Sequence, residues 1–212
     1  MTGLRERKKV DTRRALSDAA LELAFERGLE NVTRDEIAAR ADVSLRTFNN
    51  YFANKYEAIA YRQAERLRRG IEILRRTPPE VPLWTAISEA VLQPLEDDFR
   101  AARGIENSVP SRAQLAETRK LLMRTEIRDA LARRLFDEWV EAIAERTATD
   151  VAADLYPRLV AATVRAVGDA AMEAYVVADP PVAITTLIRE GFAAVAAGLP
   201  EPTARTGGKD HD

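Results

Sequence analysis

The chain has 212 residues, 46% of them hydrophobic and 31% charged, with no cysteine, a single histidine at position 211 and a formal net charge of −2. This is the make-up of a globular chain able to bury a sizeable core, and it excludes disulfides, thiolate metal sites and any mechanism that needs an imidazole inside a structured site. The charge is unevenly placed: residues 1–76 carry 17 Lys and Arg against 12 Asp and Glu, whereas residues 77–212 carry 15 against 22, so only the first part is suited to meet a polyanion.

Residues 1–14 hold Arg5, Arg7, Lys8, Lys9, Arg13 and Arg14 against Glu6 and Asp11, either a solvated, frayed terminus or a basic arm adding non-specific contacts. From about Asp11 the pattern is helical, with Leu16, Ala20, Leu23 and Ala24 on one stripe and Gly28 placed to end it. Thr33 and Glu36 have capping-box spacing, which predicts a helix from Arg34 carrying Ile37, Ala38 and Ala41. After the short turn Ala41-Asp42-Val43, Ser44 caps another short helix to about Tyr51, with Phe48 and Phe52 facing inward. Two short helices across a tight turn are a helix-turn-helix arrangement.

A second box, Asn54 to Glu57, opens a long helix through Ala58, Ile59, Tyr61, Ala64, Leu67, Ile71 and Leu74 that stops before Pro78 and Pro79. Beyond the prolines, apolar periodicity predicts helices near 83–101, 112–123, 126–147, 152–178 and 181–198. Pro94 is expected to kink the first of these, and Pro157 marks a helix start or bend. No segment alternates like a strand. Residues 199–212, with Pro200, Pro202, Gly207 and Gly208, read as a disordered tail. No run approaches the roughly 18 apolar residues of a membrane span, and no signal-peptide core follows the basic N-terminus; the expectation is a cytoplasmic protein with no membrane partner.

The run Ala20-Leu21-Glu22-Leu23-Ala24-Phe25-Glu26-Arg27-Gly28, then Val32-Thr33, Glu36-Ile37-Ala38, Ala41-Asp42-Val43-Ser44, Thr47-Phe48, Tyr51-Phe52 and Lys55 resembles the N-terminal pattern of the TetR (tetracycline-repressor-like) family over residues 11–60. The resemblance implies an all-α fold: a three-helix helix-turn-helix DNA-binding domain with a basic N-terminal arm (1–55), then a helical ligand-binding and dimerisation domain (56–198, with 56–77 as connector helix). It further implies a ligand-responsive transcriptional regulator of the repressor type, binding palindromic operator DNA as a homodimer and released by a small apolar or amphipathic effector.

On that resemblance the helix 44–51 lies in the major groove. Arg46 suits a guanine edge, Thr47 an acceptor or a thymine methyl, and Asn50 an adenine edge, with Ser44 and Leu45 beside them. Thr33, Arg34, Tyr51 and Lys55 are expected at phosphates, helped by backbone amides at the helix N-termini. Two positions depart from the family pattern. Asp42 stands where glycine is common in the turn, which Asp tolerates because it visits the left-handed region at modest cost. Asn49 stands where an aromatic residue is usual, so no aromatic contact is carried over; its amide is left to reach a phosphate or a base.

The second part shows no motif. The helices at 152–178 and 181–198 are rich in small residues, which let helix axes approach closely. The resemblance implies that they form a four-helix dimer interface with their symmetry mates; the alternative is packing within the monomer. Trp84, Ile87, Val91, Phe99, Leu122, Met123, Phe136, Trp139, Ile143, Met172 and Tyr175 either line an effector pocket or are plain core. Arg119, Arg124 and Arg128 are either its anionic rim or a solvated face. Three rival readings stand beside this one. An enzyme lacks support: there is no metal-ligand cluster, glycine-rich phosphate loop or nucleophile with a histidine base, and pairs such as Asp97–Asp98 and Asp137–Glu138 point about 100° apart on a helix. No catalytic residue, cofactor or metal is expected. A ligand-independent architectural protein would have a solid second domain, and a protein-interaction bundle would show no salt-sensitive DNA binding.

Overall fold

The computed structural model describes residues 2–101 and 125–201, and every regular element among them is helical. α1 spans Thr2–Arg27, a single 3-10 turn Leu29–Asn31, α2 Arg34–Arg40, α3 Leu45–Tyr51, α4 Lys55–Arg76, α5 Leu83–Ala101, α6 Thr125–Thr147, α7 Tyr156–Val177 and α8 Ile184–Ala196. The all-α class that the resemblance implies is the class observed among the described residues. The helix expected at 112–123 and residues 202–212 of the expected tail lie outside the described residues. No described helix is long and apolar enough to cross a membrane.

Local hydrogen bonding sets most boundaries. Thr33 Oγ1 accepts from the amide of Glu36 at 3.3 Å, and the Glu36 carboxylate accepts from the Thr33 amide at 2.9 Å, closing the box that starts α2. Ser44 Oγ accepts from the Thr47 amide at 3.1 Å to start α3. Asn54 Oδ1 accepts from the Glu57 amide at 2.9 Å to start α4, but the Glu57 carboxylate turns to the amide of Ala53 rather than to that of its cap residue. α4 stops at Arg76, before the two prolines. Asp42 sits at φ 53° in the turn, the left-handed backbone its side chain tolerates.

Three boundaries differ from expectation. α1 begins at Thr2, well before Asp11. Its first turns carry exposed Arg7, Lys8 and Lys9, which are good helix formers but leave no apolar stripe for periodicity to register. α7 begins at Tyr156, with Pro157 in its first turn, and α8 at Ile184. α5 continues through Pro94.

The buried residues form two clusters. The first joins Leu16, Ala20 and Leu23 of α1, Ile37 of α2, Phe48 of α3 and Ala58–Ala60 of α4. The second joins Ile71 and Leu74 of α4, Ile87 and Ala90 of α5, Trp139 and Ile143 of α6, Val160 and Val164 of α7, and Ile188 and Phe192 of α8. α4 therefore belongs to both, and the change from one core to the other falls inside it.

Ion pairs fix α4 to its neighbours. Arg62 meets Asp18 at 3.0 Å and Glu65 meets Arg14 at 2.6 Å, so α1 and α4 run antiparallel. Arg66 and Arg69 both grip Asp98 of α5, and Arg75 meets Glu145 of α6 at 2.8 Å. Arg146 of α6 donates to the carbonyls of Thr77, Pro78 and Val81 and so secures the turn after α4. At Gly70 a Cβ would lie 2.5 Å from the Ala90 carbonyl oxygen, so this position lets α4 and α5 approach closely.

Candidate nucleic-acid interface

Phe48 is fully buried under α3, and Phe52 packs on it with ring centroids 5.9 Å apart and on Tyr61 at 5.6 Å. This aromatic floor fixes the rotation of α3 about its axis. With Phe48 inward, Ser44, Arg46, Asn49 and Asn50 are exposed, while Leu45, Thr47 and Tyr51 are half-buried at its edges. Arg46 and Asn50 are four residues apart and share one face. The three base-reading candidates are thus near one another, although the Thr47 hydroxyl is occupied by Ser44 Oγ at 2.9 Å.

Ion pairing sorts the basic side chains of α1–α3. Arg27 is tied to Glu36 at 3.0 Å, and Arg40 to Glu26 at 2.8 Å and Glu22 at 3.3 Å. The Arg40 guanidinium pulls the Glu26 carboxyl below its usual range by hydrogen bonding, and is itself raised in turn. Hydrogen bonds from Thr33, through its side chain and backbone, likewise hold the Glu36 carboxyl low. Arg34 and Arg46, by contrast, meet no carboxylate among the described residues and are both exposed. The positive charge left open on α2 and α3 is therefore on the same side as the exposed polar face of α3, an arrangement suited to a polyanion.

Two expected contacts have other occupations. Lys55 Nζ donates to the carbonyls of Leu29 at 2.8 Å, Val32 at 2.9 Å and Glu30 at 3.5 Å. In this structure its donors go to the turn between α1 and α2, which gives it a structural task beside the phosphate contact expected of it. The Tyr51 ring lies under the Arg13 guanidinium, 5.5 Å from its centroid, which ties the end of α3 to α1. Sequence spacing gave no sign of either pairing, nor of the bond from Arg34 Nη1 to Asn49 Oδ1 at 3.2 Å, because each joins residues brought together only by the fold.

The residues expected around an effector lie in or against the second cluster where they are described. Ile87, Trp139 and Ile143 are buried in the second cluster; Trp84, Val91, Phe136, Met172 and Tyr175 pack against it half-buried. Trp84 stacks with Phe192 at 6.5 Å, and Arg165 lies over the Phe136 ring at 5.2 Å. Burial raises the Tyr175 hydroxyl pKa. Leu122, Met123, Arg119 and Arg124, and the side chains of Phe99 and Arg128, lie outside the described residues. An open cleft of about 600 Å³ is found elsewhere, between the C-terminal half of α4 and α5, where Arg69, Glu72, Ile73, Arg76, Glu89 and Pro94 are among its walls. None of the expected effector residues whose side chains are described lines it.

Residues 16–59 match the family model described as bacterial regulatory proteins, tetR family, and residues 81–200 match the one described as MftR C-terminal domain. Among solved structures, the chain resembles Thermus thermophilus FadR, described as a TetR family transcriptional repressor in complex with lauroyl-CoA. That match has 20% identity, a TM-score of 0.54, and covers 92% of this chain and 99% of that one. NalD, the secondary repressor of the MexAB-OprM multidrug efflux pump in Pseudomonas aeruginosa, matches at 17% identity and TM-score 0.52 over 91% and 97% of the two chains. SmeT, the repressor of the Stenotrophomonas maltophilia multidrug efflux pump SmeDEF, matches at 18% and 0.55 over 90% and 96%. Identities this low establish a shared fold, and no curated protein matches the chain. With both of its parts matched by family models and an exposed, carboxylate-free donor face on its helix-turn-helix, the chain belongs to the tetR family of bacterial regulatory proteins, as a DNA-binding transcriptional regulator and not an enzyme.

Proposed function

We propose that this regulator is a cytoplasmic repressor that binds a palindromic operator as a homodimer and is released by a small apolar or amphipathic effector. The observation that carries the DNA-binding half is the sorting of charge: among the described residues Arg34 and Arg46 meet no carboxylate, on the side of α3 that exposes Asn49 and Asn50, while neighbouring arginines are tied off. In this reading Arg46, Thr47 and Asn50 meet base edges, with Ser44 and Leu45 alongside, and Thr33, Arg34 and Tyr51 meet phosphates. Residues 1–55 form the DNA-binding unit and 56–198 the regulatory one. The exposed small residues of α7 and α8 pair with those of a second copy, which spaces two recognition helices for successive major grooves, about 34 Å apart.

For the effector half, Thermus thermophilus FadR is described in complex with lauroyl-CoA, an amphipathic molecule, and NalD and SmeT as repressors of multidrug efflux pumps. An effector that binds one arrangement of the second core better than the other shifts α4, and with it the separation of the recognition helices. Trp84, Val91, Phe136, Met172 and Tyr175, half-buried at the edge of that core, are the wall such a ligand would displace.

The test is fluorescence anisotropy with a labelled duplex recovered by the protein from a random library, beside a scrambled duplex, at two salt concentrations. Specific binding that weakens steeply with salt supports the repressor reading. Equal affinity for both duplexes sinks it, and a specific complex unaffected by acyl thioesters or apolar drugs limits it to a ligand-independent DNA-binding protein.

A further inference from the structure

Asn49 and Asn50 are adjacent, chemically identical and both exposed on α3, yet their surroundings differ. At 100° per residue they stand on opposite flanks of Arg46, about 60° to one side and 40° to the other. On its flank Asn49 meets Arg34 of α2, whose Nη1 donates to Asn49 Oδ1 at 3.2 Å. The orientation of that carboxamide is fixed by chemistry, since a guanidinium only donates and the amide must turn its oxygen toward it. Asn50 has no partner for its carboxamide among the described residues.

From this we infer that Asn49 is a positioning residue that aims Arg34 at a backbone phosphate, and that Asn50 alone of the two reads a base; the inference rests on the DNA-binding function proposed above. Reading adenine requires an amide to donate and accept together, at N7 and N6. The bond from Arg34 takes one of the two lone pairs of Asn49 Oδ1 and sets the direction of that oxygen, so the groups that the joined pair presents are mainly N–H donors: the amide nitrogen of Asn49 and the remaining guanidinium groups of Arg34. A donor-rich fork complements a group that only accepts, the guanine edge or the phosphodiester; Arg34 stands on α2, outside the helix assigned to the groove, which favours the phosphodiester. Arg34 meets no carboxylate among the described residues, and the bond to Asn49 restricts a long side chain that otherwise samples many rotamers. Asn50 keeps both halves of its amide and lies beside Arg46.

The test uses the full-length protein and a duplex it selects from a random library, together with every single-base-pair variant of that duplex, at several salt concentrations. Arg34→Ala should weaken binding about equally across the panel and lower the slope of log affinity against log salt by about one. Asn49→Ala removes no charge, so a base reader there would leave the slope alone; a positioning residue lowers it toward the Arg34→Ala value. The double variant should bind no worse than Arg34→Ala within about twofold, because the second loss acts through the first. Asn50→Ala should instead flatten the preference at one base pair by roughly tenfold with the salt slope intact. Both Asn49 and Arg34 are exposed, and circular dichroism and thermal unfolding verify that each variant keeps the fold. Relaxed preference at one base pair in Asn49→Ala, or losses that simply add in the double variant, would overturn the assignment while leaving the repressor reading in place. Failure of the wild-type protein to select any duplex would overturn both.

Discussion

Lys55 Nζ, on the first turn of α4, donates to the carbonyls of Leu29 and Val32 and thereby binds the connector helix to the turn that precedes α2. Since Thr33 and Arg34 follow directly, the residues proposed at phosphates are carried by α4 through this ammonium. Lys55→Met keeps most of the stem and deletes the donors; the Leu29 carbonyl still accepts from the Val32 amide, but the part-buried Val32 carbonyl loses the ammonium, at a cost of roughly 1–3 kcal/mol. The expected result is a lower urea midpoint with an unchanged salt slope of DNA binding. A slope lower by about one would return Lys55 to the phosphate role.

Gly70 is where α4 passes α5. An alanine there gains about 1 kcal/mol of helix propensity, but its Cβ meets the Ala90 carbonyl oxygen at 2.5 Å and Trp139 Cζ2 at 3.4 Å. Backbone cannot yield as a side-chain tip does, so overpacking, at roughly 1–3 kcal/mol, should outweigh propensity. Gly70→Ala is expected to lower the thermal midpoint; an unchanged or raised midpoint would mean that α5 slides away freely.

The features legible in the sequence were those that chain-local hydrogen bonding decides. Thr33, Ser44 and Asn54 cap the helices whose starts they mark, Pro78 and Pro79 follow the end of α4, and Asp42 takes the left-handed backbone of the turn. What stayed hidden depends on tertiary meeting or on the lack of an apolar stripe. The first turns of α1 are helical without periodicity because their described side chains face water. The destinations of Lys55 and Asn49 are set by where α1 and α2 lie in space, and no spacing rule reaches across 15 or more residues. In the second part, Ile87, Trp139 and Ile143 have the composition of a pocket wall and of a core alike; packing alone decides between them.

Asp98 of α5 is held by Arg66 Nε at 3.0 Å and by Arg69. Burial acts to raise its pKa, but hydrogen bonds from Arg69 and the charge of Arg66 outweigh it, and the carboxyl lies below its ordinary value. A depressed folded pKa contributes stability that is present above the unfolded value, about 3.9, and is lost as pH falls through the folded one. Asp98→Asn should therefore destabilise the protein at neutral pH by roughly 1–3 kcal/mol, less than for a fully buried pair. The difference from wild type should shrink in strong acid. Urea midpoints for both proteins across pH check this, and a difference constant with pH would assign the cost to packing and not to charge.

The exposed side of α7 is unusual for a surface. Leu159 is 56% exposed and Val177 63%, with Ala166, Ala170 and Ala174 exposed between them at four-residue spacing, and α8 adds exposed Ala193 and Ala194. Small side chains give a helix a smooth flank that another helix can approach closely, and apolar residues gathered on one face are what an association surface requires. Ala170 lies in the middle of the row, so Ala170→Glu would place a charge at the centre of the proposed dimer contact while leaving the core beneath, at Val167 and Ala171, untouched. The variant should sediment as a monomer with wild-type helical content. Its operator affinity should fall more than that of any single phosphate-contact variant, because a monomer reads one half-site and forfeits the gain from engaging both together. If Ala170→Glu remains a dimer with full affinity, the two copies meet through another face and α7 is exposed for a different reason; if it is monomeric but binds DNA undiminished, recognition does not depend on paired half-sites.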